Sequence, residues 1–361
     1  QGHRASVHQY RATCASPRFA TARRRKVSYN PAPGAATGAR DALFMQATAE
    51  AQPNIALVKY WGKRDVEQNL PAVGSLSITL DSLWTRAAVE FGEQREDSLQ
   101  VNGDAAPAML ARVGQCLDLV AGPDRRRATV TTEANFPIGA GLASSASAFA
   151  ALAVAADEAA GTGLDRLTLA RLAGRVSGSS ARSLYGGFVE LTAGDGDIML
   201  TALGDADDWP VEVVVAITEE GPKPVSSGDA MIRSAATSPF YPSWIAQQSA
   251  DLDAARNAVS KRNFQALAGV AEHNCLKMHS VMWTSRPPVV YWNKATLACL
   301  EMIRNLQADG RQVFFTMDAG PQVKAVCMQP DAGAVEAALE ETPGVMRTLR
   351  SRLGSGARLI A

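Results

Sequence analysis

Apolar and polar positions change their period along the chain. From Met45 to about 220, short stretches of strand character (Arg86 to Phe91, Ala128 to Thr132, Gly187 to Leu191, Ile198 to Ala202, Val211 to Ile217) surround two helical patterns. In the first helix, Phe149, Leu152, Ala153 and Ala156 recur at the spacing of one helix face, and Gly161 and Gly163 close it. The second helix carries Leu169, Leu172, Ala173 and Val176 and runs into Ser177-Gly-Ser-Ser-Ala-Arg-Ser-Leu-Tyr-Gly-Gly187. From about 221 the pattern is helical, through Trp244 to Arg262, Phe264 to Met282 and Thr296 to Ala308. A strand–turn–strand from Val313 to Cys327, one more helix and a strand near Ala357 follow. Strands and helices without strict alternation predict an α+β fold in two lobes, 45–220 and 221–361, with a site in the cleft between them.

Length and charge narrow the picture. The 361 residues suffice for about two domains with cores of their own, and 47% apolar content indicates a soluble globular protein. The 36 basic and 36 acidic side chains cancel, but residues 1–44 hold eight of the basic ones against one acid. The remaining body, with 28 basic and 35 acidic residues, is mildly acidic and does not favour nucleic acid. The leader around Arg23-Arg-Arg-Lys26 has transit-peptide or nucleic-acid-arm composition; with Pro31-Ala-Pro-Gly reading as linker, it is expected to be disordered upstream sequence. Cys14, Cys116, Cys275, Cys299 and Cys327 show no CxxC spacing and predict reduced thiols in a cytoplasmic protein. No apolar run reaches the roughly 18 residues of a membrane helix. His273, Cys275 and His279 hint at a metal site, but Cys275 falls on an apolar helix face with His273 nearly opposite, so a core thiol and a surface histidine are expected.

The candidate chemistry begins at Asn135-Phe-Pro-Ile-Gly-Ala-Gly-Leu-Ala-Ser-Ser-Ala146, where glycines and serines stand directly before a helix. Free backbone N–H groups at a helix N-terminus face an anion well, and Gly139 and Gly141 would let the backbone approach it. An ordinary serine-capped loop fits these residues equally. A dinucleotide fingerprint does not: Thr131 to Pro137 is too polar for a buried parallel strand, and no acidic residue ends a second strand downstream. Segments 54–65, 137–147, 177–187, 223–229 and 316–321 each mix charge or hydroxyls with glycine or proline beyond what a core or turn requires, and are expected to converge.

These segments resemble the GHMP kinase superfamily and, within it, the mevalonate diphosphate decarboxylases. The broader likeness lies in Pro137-x-x-x-Gly-Leu-Ala-Ser-Ser145. The narrower one lies in Asn54-Ile-Ala-Leu-Val-Lys-Tyr-Trp-Gly-Lys63, Ser177 to Phe188, Lys223-Pro-Val-Ser-Ser227, Thr237-Ser-Pro-Phe-Tyr-Pro242, Arg286-Pro-Pro288 and Asp318-Ala-Gly-Pro321. The resemblance implies a two-lobed GHMP kinase fold, with an N-terminal lobe like ribosomal protein S5 and a ferredoxin-like C-terminal α/β sandwich. It implies ATP-dependent conversion of mevalonate 5-diphosphate to isopentenyl diphosphate, with ATP and Mg²⁺ required and a homodimer as the assembly. Carried over by position, Asp318 is the catalytic carboxylate, Lys59 its cationic neighbour and Arg182 the clamp on the substrate carboxylate. Tyr60, Lys63, Ser177, Ser179 and Ser227 hold the substrate. Gly139, Gly141, Ser144 and Ser145 hold the nucleotide phosphates.

The chain also departs from its relatives. Val73-Gly74 stands where many have an Asn two residues before Ser75, Gly139 replaces an alanine, and Gly228 stands where some have an arginine able to reach the diphosphate. A decarboxylase of mevalonate 5-phosphate is therefore a rival expectation. A 3-kinase that stops after phosphorylation, a non-catalytic ligand-binding relative and an RNA-binding variant through the leader are further alternatives.

Overall fold

The structure, a computed structural model, describes residues 46–138, 141–194, 196–221 and 223–360. The leader call on 1–44, Cys14 and the Gly139 call lie outside them. The first part of the chain runs β1 (Gln46–Ala51), β2 (Asn54–Val58), β3 (Lys63–Asp65), β4 (Leu70–Pro71), β5 (Ser75–Thr79), β6 (Thr85–Gly92), β7 (Ser98–Val101) and β8 (Asp104–Ala105) into α1 (Pro107–Ala121). Then come β9 (Arg127–Ala134), α2 (Ser144–Ala160), α3 (Arg166–Val176), α4 (Ser180–Ser183), β10 (Phe188–Ala193) and β11 (Ile198–Gly204). The rest is β12 (Val211–Ile217), α5 (Ser227–Thr237), α6 (Tyr241–Ser260), α7 (Phe264–Trp283), α8 (Lys294–Ala308), β13 (Val313–Thr316), β14 (Val323–Met328), α9 (Ala332–Glu340), β15 (Arg347–Arg352) and β16 (Arg358–Ile360). This is the α+β architecture the patterning predicts.

Among the described residues, the larger sheets have the orders β16-β1-β6-β9-β7-β8, β11-β10-β5-β2 and β13-β14-β12-β15. β6 alternates strictly, with Thr85, Ala87, Val89 and Phe91 turned inward, because one face meets a core and the other solvent. That core lies between the first sheet and α1 to α3. α2 is its centre: ten of its residues are buried, most of them alanine, so it fits closely against β1 and β6 while keeping high helix propensity. Gly161 ends it in the left-handed conformation.

β12 is buried on both faces and is apolar except for Glu212, which is buried against Arg350. Val211, Val213, Val215 and Ile217 face a second core shared with Ile55, Leu57, Leu76, Ile78 and Phe188 of the middle sheet. Val214 and Ala216 face a third, closed by α8 and α9. By number β12 falls before 220, yet its partners on both sides, β14 and β15, belong to the C-terminal stretch. β16 likewise returns to pair with β1. β9 lies antiparallel to β6 and parallel only to the short β7, with polar residues alternating. Cys275 is buried in α7 while His273 is exposed; His279 is buried too, accepting from Trp292 Nε1 at 3.0 Å. Cys116, Cys275, Cys299 and Cys327 are free and buried, and no helix of the described residues is long and apolar enough to cross a membrane.

Candidate active site

A cavity of about 530 Å³ is lined by residues from all five segments that the sequence singles out. β2 delivers its first cation. The strand's register against β5 slips between Ala56 and Val58, and Lys59 follows its last residue. Lys59 is 1% exposed, and both ends of its peptide are clamped: its N–H donates to Asn274 Oδ1 at 2.8 Å and its carbonyl accepts from Gln248 Nε2 at 2.7 Å. Asn274 in turn donates to Gln248 Oε1 (2.9 Å) and to Asp251 Oδ2 (2.6 Å), so α6 and α7 together fix this backbone.

Lys59 Nζ donates to Asp318 Oδ1 at 2.9 Å and to the Ala56 carbonyl at 2.7 Å. Lys324 Nζ stands 3.4 Å from Asp318 Oδ2. Burial alone would raise the Asp318 carboxyl, but the two ammonium groups outweigh it and hold it well below the usual carboxylate range. Sequence reasoning passed over Lys324; its signal is a lysine inside the apolar run Val323-Lys-Ala-Val-Cys327.

Arg182 is 2% exposed. Its guanidinium donates to Ser75 Oγ at 2.8 Å and to Asn54 Oδ1 at 3.3 Å, and Asn54 is oriented by its own bonds to the Ser179 carbonyl and Ser183 Oγ. Among the described residues, no carboxylate lies within ion-pair distance of it. Burial pulls its pKa down to about 10, with Tyr60 and Asp318 opposing. The Tyr60 ring is 5.9 Å from the guanidinium, and its hydroxyl is buried without a partner. A side chain on Gly178 would meet that hydroxyl at 2.4 Å, which is why a glycine separates Ser177 from Ser179.

Two helix N-termini open on the cavity. α2 begins at Ser144 after its N-cap Ala143, which is in a left-handed conformation and makes no side-chain cap bond. Gly141, at φ +82, packs so closely on the Asp318 turn that an added Cβ would stand 3.2 Å from Gly320 Cα. α5 begins at Ser227. Lys223 Nζ bridges Ser227 Oγ (2.7 Å) and the Ala319 carbonyl (2.9 Å); burial lowers its pKa to about 8, partly offset by Asp318. Lys63 and Arg112 stand at another wall, Arg112 donating to the Val176 carbonyl at 3.0 Å. Burial and Arg112 lower the Lys63 pKa, with Asp229 opposing.

Asp318, Lys59, Arg182, Tyr60, Lys63, Ser177, Ser179, Ser227, Gly141, Ser144 and Ser145 thus all line one cavity. Lys223, Arg112 and Asn54 join them without having been assigned roles from the sequence. Val73 packs instead in an apolar cluster with Trp61 and Trp244. Gly228 does line the cavity, and a Cβ there would meet Ser226 Oγ at 3.8 Å, an ordinary contact.

The family model for the diphosphomevalonate decarboxylase-like N-terminal domain matches residues 51–201, and that for the mevalonate 5-diphosphate decarboxylase C-terminal domain matches 213–350. The chain belongs to the diphosphomevalonate decarboxylase family. Diphosphomevalonate decarboxylase mvd1 of Aspergillus fumigatus is 31% identical over 330 residues, 83% of this chain and 82% of the relative. The solved structure of MDDEF in complex with MVAPP, AMPPCP and magnesium is 35% identical with a TM-score of 0.82, covering 88% of this chain and 99% of that one. Mevalonate diphosphate decarboxylase from Staphylococcus aureus gives 31% and 0.83 over the same shares. The fold of this decarboxylase family is accordingly the GHMP kinase fold.

Proposed function

We propose that this cavity carries out ATP-dependent decarboxylation of mevalonate 5-diphosphate to isopentenyl diphosphate, releasing carbon dioxide, ADP and phosphate. The chain is an ATP-dependent decarboxylase of mevalonate diphosphate, as its family is. The observation that carries the reading is the charge of the cavity: among the described residues, Lys59, Lys63, Arg112, Arg182 and Lys223 line it against the one carboxylate of Asp318. A body that is acidic elsewhere gathers cations here for a polyanionic pair, a triphosphate beside a substrate with both a carboxylate and a diphosphate.

The tertiary hydroxyl of the substrate is a poor leaving group, so it is first phosphorylated. Asp318, ionised and fixed by two lysines, orients that hydroxyl toward the incoming phosphoryl group. A carboxylate held so far down is a weak base, so its contribution is orientation and charge more than proton abstraction. Loss of the new phosphate leaves positive charge at the carbon beta to the carboxylate. The bond to the carboxylate then breaks, its electrons form the double bond, and carbon dioxide departs. Arg182, desolvated and paired with no carboxylate among the described residues, holds the leaving carboxylate in line. Tyr60, Lys63, Ser177, Ser179 and Ser227 hold the diphosphate, with Arg112 and Lys223 added to that set.

The N-terminus of α2 with Gly141, Ser144 and Ser145, which line the cavity, fits the nucleotide phosphates. Among the described residues no cluster of acids, histidines or cysteines could hold a metal alone, which fits a magnesium ion carried by those phosphates beside the Ser144 and Ser145 hydroxyls, where it would neutralise developing charge. A homodimer is part of the proposal and is tested by light scattering on the eluting protein. The monophosphate alternative is not favoured: the named relatives act on the diphosphate, and Lys223 supplies a cation in the segment where Gly228 lacks one.

The test is incubation with Mg-ATP and carboxyl-labelled mevalonate 5-diphosphate or 5-phosphate in parallel. Equal release of carbon dioxide and ADP from the diphosphate, abolished in Asp318→Ala, supports the reading. Preference for the monophosphate, or ADP without carbon dioxide, overturns it.

A further inference from the structure

Lys324 is fully buried on β14, paired in register with Thr316 of β13 and Val215 of β12. Its neighbours along the strand, Val323 and Ala325, belong to the third core, while Lys324 shares the opposite face with Val326. An ammonium group at such a position costs several kcal/mol of desolvation, which an apolar side chain of similar volume would avoid. Two contacts account for it. Nζ donates to the Gly141 carbonyl at 3.0 Å and stands 3.4 Å from Asp318 Oδ2. The two segments it joins already approach each other, because a Cβ added to Gly141 would stand 3.2 Å from Gly320 Cα in the turn that presents Asp318.

We propose that Lys324 is a positioning residue for the decarboxylase reaction, tying the backbone of the nucleotide-phosphate loop at Gly141 to the carboxylate of Asp318 so that the arrangement of one fixes the orientation of the other. The inference rests on the reading of Asp318 as the reacting carboxylate. Lys59 alone could keep a carboxylate charged, but it anchors to the Ala56 carbonyl and, among the described residues, has no bond to the phosphate loop. Lys324 is the cation that reaches both. Without it the loop and the carboxylate keep their separate supports and lose their common one. Removing one of two cations also lets the Asp318 carboxyl titrate at higher pH.

The experiment compares Lys324→Met, which keeps length without charge, and Lys324→Gln, which keeps a donor for Gly141 without charge, against the intact enzyme. Thermal midpoint, KM for each substrate, kcat and the acid limb of kcat against pH are measured, with Asp318→Asn in parallel. Misplacement of a reacting group by about 1 Å costs on the order of 100-fold, so Lys324→Met is expected to lower kcat roughly 10- to 100-fold. It should also raise the ATP KM, leave the mevalonate 5-diphosphate KM within about twofold, and move the acid limb to higher pH without lowering the thermal midpoint. Lys324→Gln should recover the ATP KM and keep the displaced limb. Unchanged kcat, ATP KM and acid limb in both variants overturn the inference, as does a loss of activity that only follows a lowered thermal midpoint. Full turnover by Asp318→Asn would instead overturn the reading of the site on which the inference stands.

Discussion

Arg182 shows at the scale of one residue how function is held against stability. Its guanidinium is buried on two neutral acceptors, so replacing it relieves desolvation while removing the group that fits a planar carboxylate. Arg182→Gln is expected to keep or raise the thermal midpoint and to reduce kcat/KM at least about 100-fold; melting curves and carbon dioxide release check both halves. Lys223 makes a prediction in pH. With its pKa lowered to about 8 by burial, it is cationic below that value and neutral above it, and a bound phosphate favours the cation. Diphosphate binding should therefore weaken as pH rises past about 8 and take up a proton between about 8 and 10, the ordinary lysine range. Calorimetry in buffers of different ionisation enthalpy reads that uptake, and Lys223→Met should abolish it. The motifs around Asp318, Lys59 and Arg182 marked them in the sequence, and the structure places all three on one cavity. Lys324 was not marked, since a lysine in an apolar strand declares neither its burial nor which distant loop it meets.

At the scale of elements, the loop before α2, proposed above to hold the nucleotide phosphates, depends on glycine at one point. Gly141 combines a left-handed backbone with close approach to Gly320, so Gly141→Ala meets strain and contact together. It should cost about 1–3 kcal/mol of stability and raise the ATP KM more than tenfold while sparing the affinity for mevalonate 5-diphosphate; denaturant unfolding and initial rates separate the two. Asn274 acts through helices, since α7 reaches across to the Lys59 peptide. Asn274→Ala leaves a buried N–H unpaired, a loss of about 1–3 kcal/mol, and should lower kcat by loosening Lys59. The strongly periodic helices and β12 were readable because one face, or the whole strand, meets a core. β2 and β5 were not read as strands: each is five residues long and buried throughout, so neither alternation nor length marks it. The helix expected from Trp244 starts at Tyr241, with Pro242 in its first turn, where a missing N–H costs nothing.

Across the whole molecule, acid titration reports the ion pairs that join the N-terminal and C-terminal stretches. Asp318 titrates lower in the fold than its unfolded value near about pH 3.9, so its stabilising contribution is complete above that pH and is lost as the pH falls through the folded value. The stability gap between the intact enzyme and Asp318→Asn should therefore stay constant from neutrality down to about pH 4–5 and close in stronger acid, as chemical unfolding across pH will show. The sequence alone determined that this chain carries an α+β fold with helices concentrated after 221, and singled out the segments that line its cavity, because periodicity and motif spacing are local properties. The tertiary structure alone decided that β12 pairs within the C-terminal sheet, that β16 returns to β1, and that, among the described residues, five cations line one cavity around one carboxylate. These depend on contacts between residues far apart in the chain, where burial and charge act through distance in space and leave no mark on neighbouring positions.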